Sequence, residues 1–135
     1  MLKKYIADTP EGQFRDRILK EYLGKNVHIE IDRPIGYIHE KEKYSLHYNI
    51  NYGYIPGVIG GDDEELDVYL LGVSQPVKEY DCKIIGAIRR LDDCEDKLVA
   101  CPVGSDFSKE DIAKLTHFQE QYYTTFVITS TDEIR

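Results

Sequence analysis

From Val27 to Cys101 the sequence offers a succession of short extended runs, most of them following one another without an intervening helix. Val27, Ile29 and Ile31 alternate against His28, Glu30 and Asp32 until Pro34 closes the run, the period-2 pattern of a half-buried strand. Two further extended pieces, near 35–39 and 43–48, flank the charged turn Glu40-Lys41-Glu42. A strand is expected over 66–71, with Leu66, Val68 and Leu70 on one face and Asp67, Tyr69 and Leu71 on the other. Lys83 to Leu91 and Lys97 to Cys101 read as two more, joined by an acidic turn, and Thr125 to Thr129 as a last β-branched run. Strands in this order fit a mainly β (α+β) fold, a small barrel with its helices outside, better than a βαβ sandwich.

Two helices complete the expectation of roughly seven strands and two helices. Thr9-Pro10 is a favourable start, Phe14, Ile18 and Tyr22 recur with Leu19 and Leu23 beside them, and Gly24 supplies a stop, so a helix is predicted near 10–23. Ser108 opens a second, near 108–122, with Ile112, Leu115, Phe118 and Tyr122 on one face. The segment from Asn49 to Gly61, rich in Gly, Asn and Pro, reads as a long loop of the kind that carries function. At 135 residues the chain is expected to be one domain, 1–135, with the barrel over about 26–105.

A formal charge of -8 argues against nucleic acid and anionic membranes as partners, because no basic stripe outweighs the acids. It leaves open a small anionic substrate held by local geometry. The three cysteines, Cys82, Cys94 and Cys101, match no zinc spacing, and no signal peptide or membrane-spanning apolar run is evident, so a reduced, cytoplasmic setting is expected. The four histidines, His28, His39, His47 and His117, form no ligand pair at helical spacing.

The densest charge is Asp62-Asp63-Glu64-Glu65-Leu66-Asp67. Taken alone, such a run is a solvated turn. Two carboxylates about 4 Å apart repel by roughly 4 kcal/mol at an effective dielectric near 20, so acids that converge in a cleft call for a cation. The run is no EF-hand, since Leu66 and Asp67 stand where that loop needs an oxygen ligand and a glycine. A second acidic turn, Asp92 to Asp96, also lies at a strand end. Two such turns facing each other across one barrel mouth would suit hard divalent ions, which are held by a few carboxylates and phosphate oxygens.

The order Tyr48-Asn49-Ile50-Asn51-Tyr52-Gly53-Tyr54-Ile55-Pro56, then Asp62 to Val68, Ile85-Gly86-Ala87 and Asp92 to Pro102, resembles the soluble family I inorganic pyrophosphatases. A weaker echo is His117 to Tyr122. The resemblance implies an OB-like barrel, commonly oligomeric, that hydrolyses pyrophosphate with Mg2+ at a site of more than one ion. The family's D-x-D-P-x-D acids fall on Asp62, Glu64 and Asp67. Asp62 and Asp67 would be metal ligands, and Glu64, a methylene longer than the aspartate it replaces, would be the catalytic base. Asp92 and Asp96 match later metal-binding acids, and Lys97 a phosphate-binding lysine. Tyr48, Tyr52 and Tyr122 match site tyrosines whose fate without the motif is core packing, and Glu30 matches an acid near the metals.

Other family positions differ. A lysine and a glutamate of the family meet Gly36 and Ile38 here, an arginine meets Glu40 to Lys43, and a lysine meets Tyr123. The cationic clamp is thereby reduced to Lys97 plus Arg33, Lys41 or Lys43. Three functions stay open on this sequence: hydrolysis of pyrophosphate, hydrolysis of a larger phosphoanhydride, and metal or phosphate binding without turnover.

Overall fold

The computed structural model describes residues 5–134. Helix α1 spans Pro10–Tyr22. The side chain of Thr9 accepts from the Gly12 amide at 3.1 Å, and Gly24 beyond the last turn takes φ +86°, the left-handed value glycine adopts without strain. The eight strands are β1 (Asn26–Arg33), β2 (Ile38–Glu40), β3 (Ser45–His47), β4 (Asn51–Ile59), β5 (Glu65–Leu70), β6 (Glu79–Arg90), β7 (Lys97–Cys101) and, after helix α2 (Lys109–Glu120), β8 (Thr125–Ile128). A short 3-10 turn, Thr131–Glu133, follows.

Strands β1, β4, β5, β7 and β6 are bonded in that order, and β6 pairs back onto β1 from Asn26↔Lys83 to Glu30↔Glu79, which closes a five-stranded barrel. Among the described residues only β5 and β7 run parallel. Strand β8 extends β6 outside the closure, and β2 with β3 form a separate ribbon. Closure satisfies the strand edges that an open sheet would leave exposed.

Strand β5 separates two apolar clusters. Leu66, Val68 and Leu70 join Ile29, Ile84, Leu98 and Leu19 of α1. Tyr69 and Leu71 point the other way, with Tyr48, Tyr52, Val99 and Ile112 of α2. This is the alternation expected from 66–71, and it puts Asp67 on the same face as Tyr69. Each large side chain so buried contributes about 1.5–3 kcal/mol.

The segment expected to be a loop, Asn49 to Gly61, is instead mostly β4, a barrel strand between β1 and β5. Its glycine and proline serve the pairing. A Cβ at Gly53 would come within 1.8 Å of the Glu30 carbonyl oxygen on β1, so only glycine permits that approach. Pro56 falls in the stretch between Tyr54 and Ile59 where the register with β5 shifts.

The helices also differ from the spacing rule. In α1 the buried positions are Gly12, Arg15, Asp16 and Leu19, so two charged side chains face inward while Ile18 and Tyr22 pack at the edge of the core. In α2 the buried set is Ile112, Thr116, Gln119 and Glu120, and Tyr122 lies past the helix end, exposed.

His28 on β1 faces two acids of β6, with Nδ1 at 2.7 Å from Asp81 and Nε2 at 3.2 Å from Glu79. The hydrogen bond to Asp81 raises its pKa, partly offset by desolvation. A folded pKa above the unfolded one gives stability that is present at acid pH and lost as pH rises through the folded value. An NMR titration is expected to find the His28 pKa above its ordinary value, and lower in Asp81→Asn. An identical titration in the variant would show that the pair does not form.

Candidate active site

The first acidic turn is folded by its own backbone. The Gly60 amide donates to the Glu64 carbonyl at 2.8 Å, the Glu64 amide donates to Asp62 Oδ1 at 3.0 Å, and Asp63 takes φ +64°, a value aspartate tolerates. Asp62 turns into the barrel mouth while Asp63 and Glu64 face solvent. The turn rests on its counterpart: a Cβ at Gly61 would lie 2.1 Å from the Cys94 carbonyl oxygen.

The second turn is fixed by arginines. Asp96 is buried and accepts from Arg15 Nη2 at 2.7 Å and from Arg89 Nε and Nη2 at 3.1 and 2.9 Å. Arg89 Nη1 also donates to Asp16 at 2.6 Å, and Arg15 donates to the carbonyls of Asp93 and Arg90 at 2.9 and 2.6 Å. Helix α1 thus clamps this turn from behind. Arg90 forms a two-pronged pair with Glu120 of α2 at 2.9 and 2.7 Å and donates to Asp93 at 2.8 Å, and Tyr69 Oη donates to the same Glu120 at 2.6 Å.

Between the turns lies a cavity of about 240 Å³, smaller than the roughly 300–1,000 Å³ of sites for drug-sized ligands. Its walls carry acids (Asp62, Asp67, Asp93, Glu95), cations (Arg33, Lys41, Arg90, Lys97) and Tyr44, Tyr52, Tyr122 and Tyr123. Lys97 Nζ sits 2.5 Å from Asp67 and is also paired with Glu95. Burial opposes its charge, but Tyr52, Asp67 and Glu95 hold its pKa well above the ordinary lysine value. Burial pushes the Glu95 carboxyl above the usual range against the pull of Lys97, with Asp67 and Asp62 adding to the rise. Asp93 goes the other way: despite burial, the Cys94 amide and the Arg90 guanidinium hold its pKa below the ordinary value.

Of the residues singled out in the sequence, Asp62, Asp67, Lys97, Tyr52 and Tyr122 line this cavity. Tyr48 stands behind it, accepting from Arg33 Nη1 at 2.7 Å and donating to Gln119. Four others are elsewhere. Asp96 is enclosed by Arg15 and Arg89; Asp92 accepts the Thr124 amide at 3.1 Å through both oxygens; Glu64 is exposed outside the mouth; Glu30 is exposed on β1. Glu95 takes the inward place that Asp96 was expected to hold, because residues two apart on an extended chain share a face and Lys97 points into the mouth. Alternation counted back from Lys97 was the signal that could have found it. Asp93 and Arg90 gave no such signal.

Among the described residues no three His, Cys, Asp or Glu side chains are grouped so as to hold a metal ion. Magnesium is usually held by one or two carboxylates with waters and substrate phosphates, so a three-acid cage is not required. Glu95 Oε2 is buried without a hydrogen-bond partner. A Cβ at Gly60 would lie 3.4 Å from Leu66 Cδ1 and 3.7 Å from both that atom and Asp62 Oδ1, so carboxylate oxygens of both turns flank one point beside an apolar side chain. An orphaned carboxylate oxygen in an all-oxygen donor set fits a hard divalent cation.

Fold and site together define a small OB-like β-barrel protein with a charged mouth where two acidic turns meet. The family model described as inorganic pyrophosphatase matches residues 21–128. An inorganic pyrophosphatase of Ralstonia nicotianae is 30% identical over 126 residues, covering 72% of each chain. One from Helicobacter pylori is 25% identical over 115 residues, covering 72% of this chain, which spans 66% of that protein's length. In the crystal structure of the inorganic pyrophosphatase from Ehrlichia chaffeensis the fold recurs with a TM-score of 0.62 at 18% identity, over 84% of this chain and 94% of that one. The chain belongs to the inorganic pyrophosphatase family, a family of phosphoanhydride hydrolases. None of the described helices is long and apolar enough to cross a membrane.

Proposed function

We propose that this protein hydrolyses inorganic pyrophosphate to phosphate with Mg2+, each ion held by one or two of the mouth carboxylates Asp62, Asp67 and Glu95 together with waters and substrate phosphate. The observation that carries the reading is the small cavity in which those carboxylates, one of them with an unpartnered buried oxygen, share walls with arginine and lysine. When bound, a divalent ion there would lower the pKa of water and offset charge on the leaving phosphate. Lys97 bridges Asp67 and Glu95, which fixes their spacing, while burial raises the Glu95 pKa against its pull. Arg90, locked by Glu120, holds Asp93 at the wall. Tyr52 is buried and its pKa is raised by desolvation, so it is a neutral hydroxyl donor at the cavity floor. Glu64 faces away and is left without the water-activating role that the resemblance implies. The three free thiols suit a reducing compartment such as the cytoplasm.

The test is phosphate release from pyrophosphate by purified protein, with Mg2+ and with a chelator. Mg-dependent, saturable release is expected; release no faster than in buffer would sink the proposal. A second reading draws on the rim, where exposed Tyr44 and Tyr122 stack with centroids 4.3 Å apart and planes at 17°. A flat aromatic group of a larger phosphoanhydride could rest there, base stacking on an aromatic being worth about 1–3 kcal/mol. Faster turnover of a nucleoside triphosphate than of pyrophosphate would favour that reading.

A further inference from the structure

Among the described residues the strands of the β2–β3 ribbon pair only with each other, so the ribbon's place over the mouth is set by its base and its tip. At the base the Gly36 amide donates to the Tyr48 carbonyl at 2.8 Å and the Tyr48 amide to the Tyr37 carbonyl at 2.9 Å. The Ile35 amide adds a bond to Asn51 Oδ1 at 3.1 Å. The tip is a closed turn, in which the Lys41 amide donates to the Tyr44 carbonyl at 2.8 Å and Ser45 Oγ to Glu40 at 2.7 Å. Tyr44 reaches from that turn to the end of α2.

At the helix end Tyr123 lies on the Arg90 guanidinium, with Cζ 3.7 Å from the ring centroid, and the preceding Tyr122 meets Tyr44 ring to ring at 4.3 Å. Both stacked tyrosines line the 240 Å³ cavity, so the pair joins ribbon to helix along its wall. Rings at that distance leave no room for a third between them. Parting them forfeits about 0.5–1.5 kcal/mol beyond the area they bury. A chain of phosphates that outgrows the cavity on this side therefore meets two rings that hold each other in place.

We infer that Tyr44, stacked on Tyr122, is a specificity-determining residue: the pair bounds the site on the ribbon side and favours pyrophosphate over longer phosphoanhydrides, tripolyphosphate and nucleoside triphosphates among them. This role rests on the proposed hydrolysis. It is the opposite of a platform for a base, because removing the Tyr44 ring relieves a wall but takes a platform away. Discrimination by fit is worth about 10–200-fold for a single methylene in a closed pocket, and an open-sided mouth such as this one belongs at the low end.

The experiment compares the full chain with Tyr44→Ala and Tyr44→Phe, by phosphate release from pyrophosphate, tripolyphosphate and ATP with Mg2+, and by calorimetric binding of the same three in chelator. Tyr44 is exposed, and the bonds at the ribbon's base do not involve its ring. In Tyr44→Ala the kcat/KM for tripolyphosphate relative to pyrophosphate is expected to rise about tenfold, or about 1.4 kcal/mol, through a lower KM. The relative affinity should rise in step. Tyr44→Phe keeps the ring and should keep the wild-type ratios. Ratios unchanged in Tyr44→Ala overturn the role, and so does a fall for ATP, which would assign the stack to a base. If none of the three proteins releases phosphate from pyrophosphate, the hydrolase reading fails, and the binding ratios alone uphold or overturn the wall.

Discussion

Replacing Asp96 by alanine is expected to destabilise the protein by about 3–5 kcal/mol, a large part of the 5–15 kcal/mol that holds a typical domain folded. The side chain is 3% exposed and receives three charge-assisted hydrogen bonds within 3.1 Å from two guanidiniums that are each 2% exposed. Removing it leaves Arg15 and Arg89 buried with less than their charge compensated. Asp16 still serves Arg89, and backbone carbonyls still serve Arg15, which keeps the loss from being larger. Denaturant unfolding in chelator measures this without a metal. The same substitution distinguishes the structural role from the metal-binding role that the resemblance implies. A loss of stability that is the same with and without Mg2+ is expected. A variant as stable as wild type in chelator that fails to bind Mg2+ would return Asp96 to the metal site.

Much of the barrel was legible because it obeys period 2. The alternation over 66–71 placed Leu66, Val68 and Leu70 in one cluster and Tyr69 and Leu71 in the other, which set Asp67 into the mouth. Strand β4 was missed because its Gly53 and Pro56 read as loop residues, when Gly53 is there for the backbone approach of β1. Placement in the cavity was legible where a single strand or turn decides it, as at Asp62 and Asp67. It was illegible where partners come from distant segments. Arg89 meets Asp16, 73 residues away, and Arg90 meets Glu120, 30 residues away, and no local pattern announces either pair.

The shift from Asp96 to Glu95 has the same origin. Matching by residue type favoured the aspartate, but the pleat from Lys97 puts Glu95 on the mouth side and Asp96 on the side of α1. Arginines at 15 and 89 then make burial of Asp96 tolerable. The N-terminal helix, predicted from the spacing of its apolar residues, is therefore tied to the site electrostatically, since Arg15 and Asp16 hold the second turn.

Asp67→Asn is expected to lower Mg-dependent phosphate release from pyrophosphate about a thousandfold, or about 4 kcal/mol of transition-state stabilisation. Asparagine keeps the shape of the side chain but removes one of the carboxylates proposed to hold the metal, and it leaves Lys97 with Glu95 as its remaining counter-charge. Lys97, already paired with Glu95 Oε1, is then free to shift toward the unpartnered Oε2, where it competes with metal. Loss of Mg2+ affinity should accompany the loss of rate, measurable by calorimetry in the presence of inorganic phosphate. The fold should survive, since Asp67 is 27% exposed and its strand neighbours Leu66 and Val68 stay buried in the core. Glu64→Gln is the informative contrast, because Glu64 is exposed outside the cavity and is expected to keep activity within about threefold of wild type. A fall at Glu64 equal to that at Asp67 would place the water-activating carboxylate on the first turn after all, and undo the assignment of the mouth to Asp62, Asp67 and Glu95.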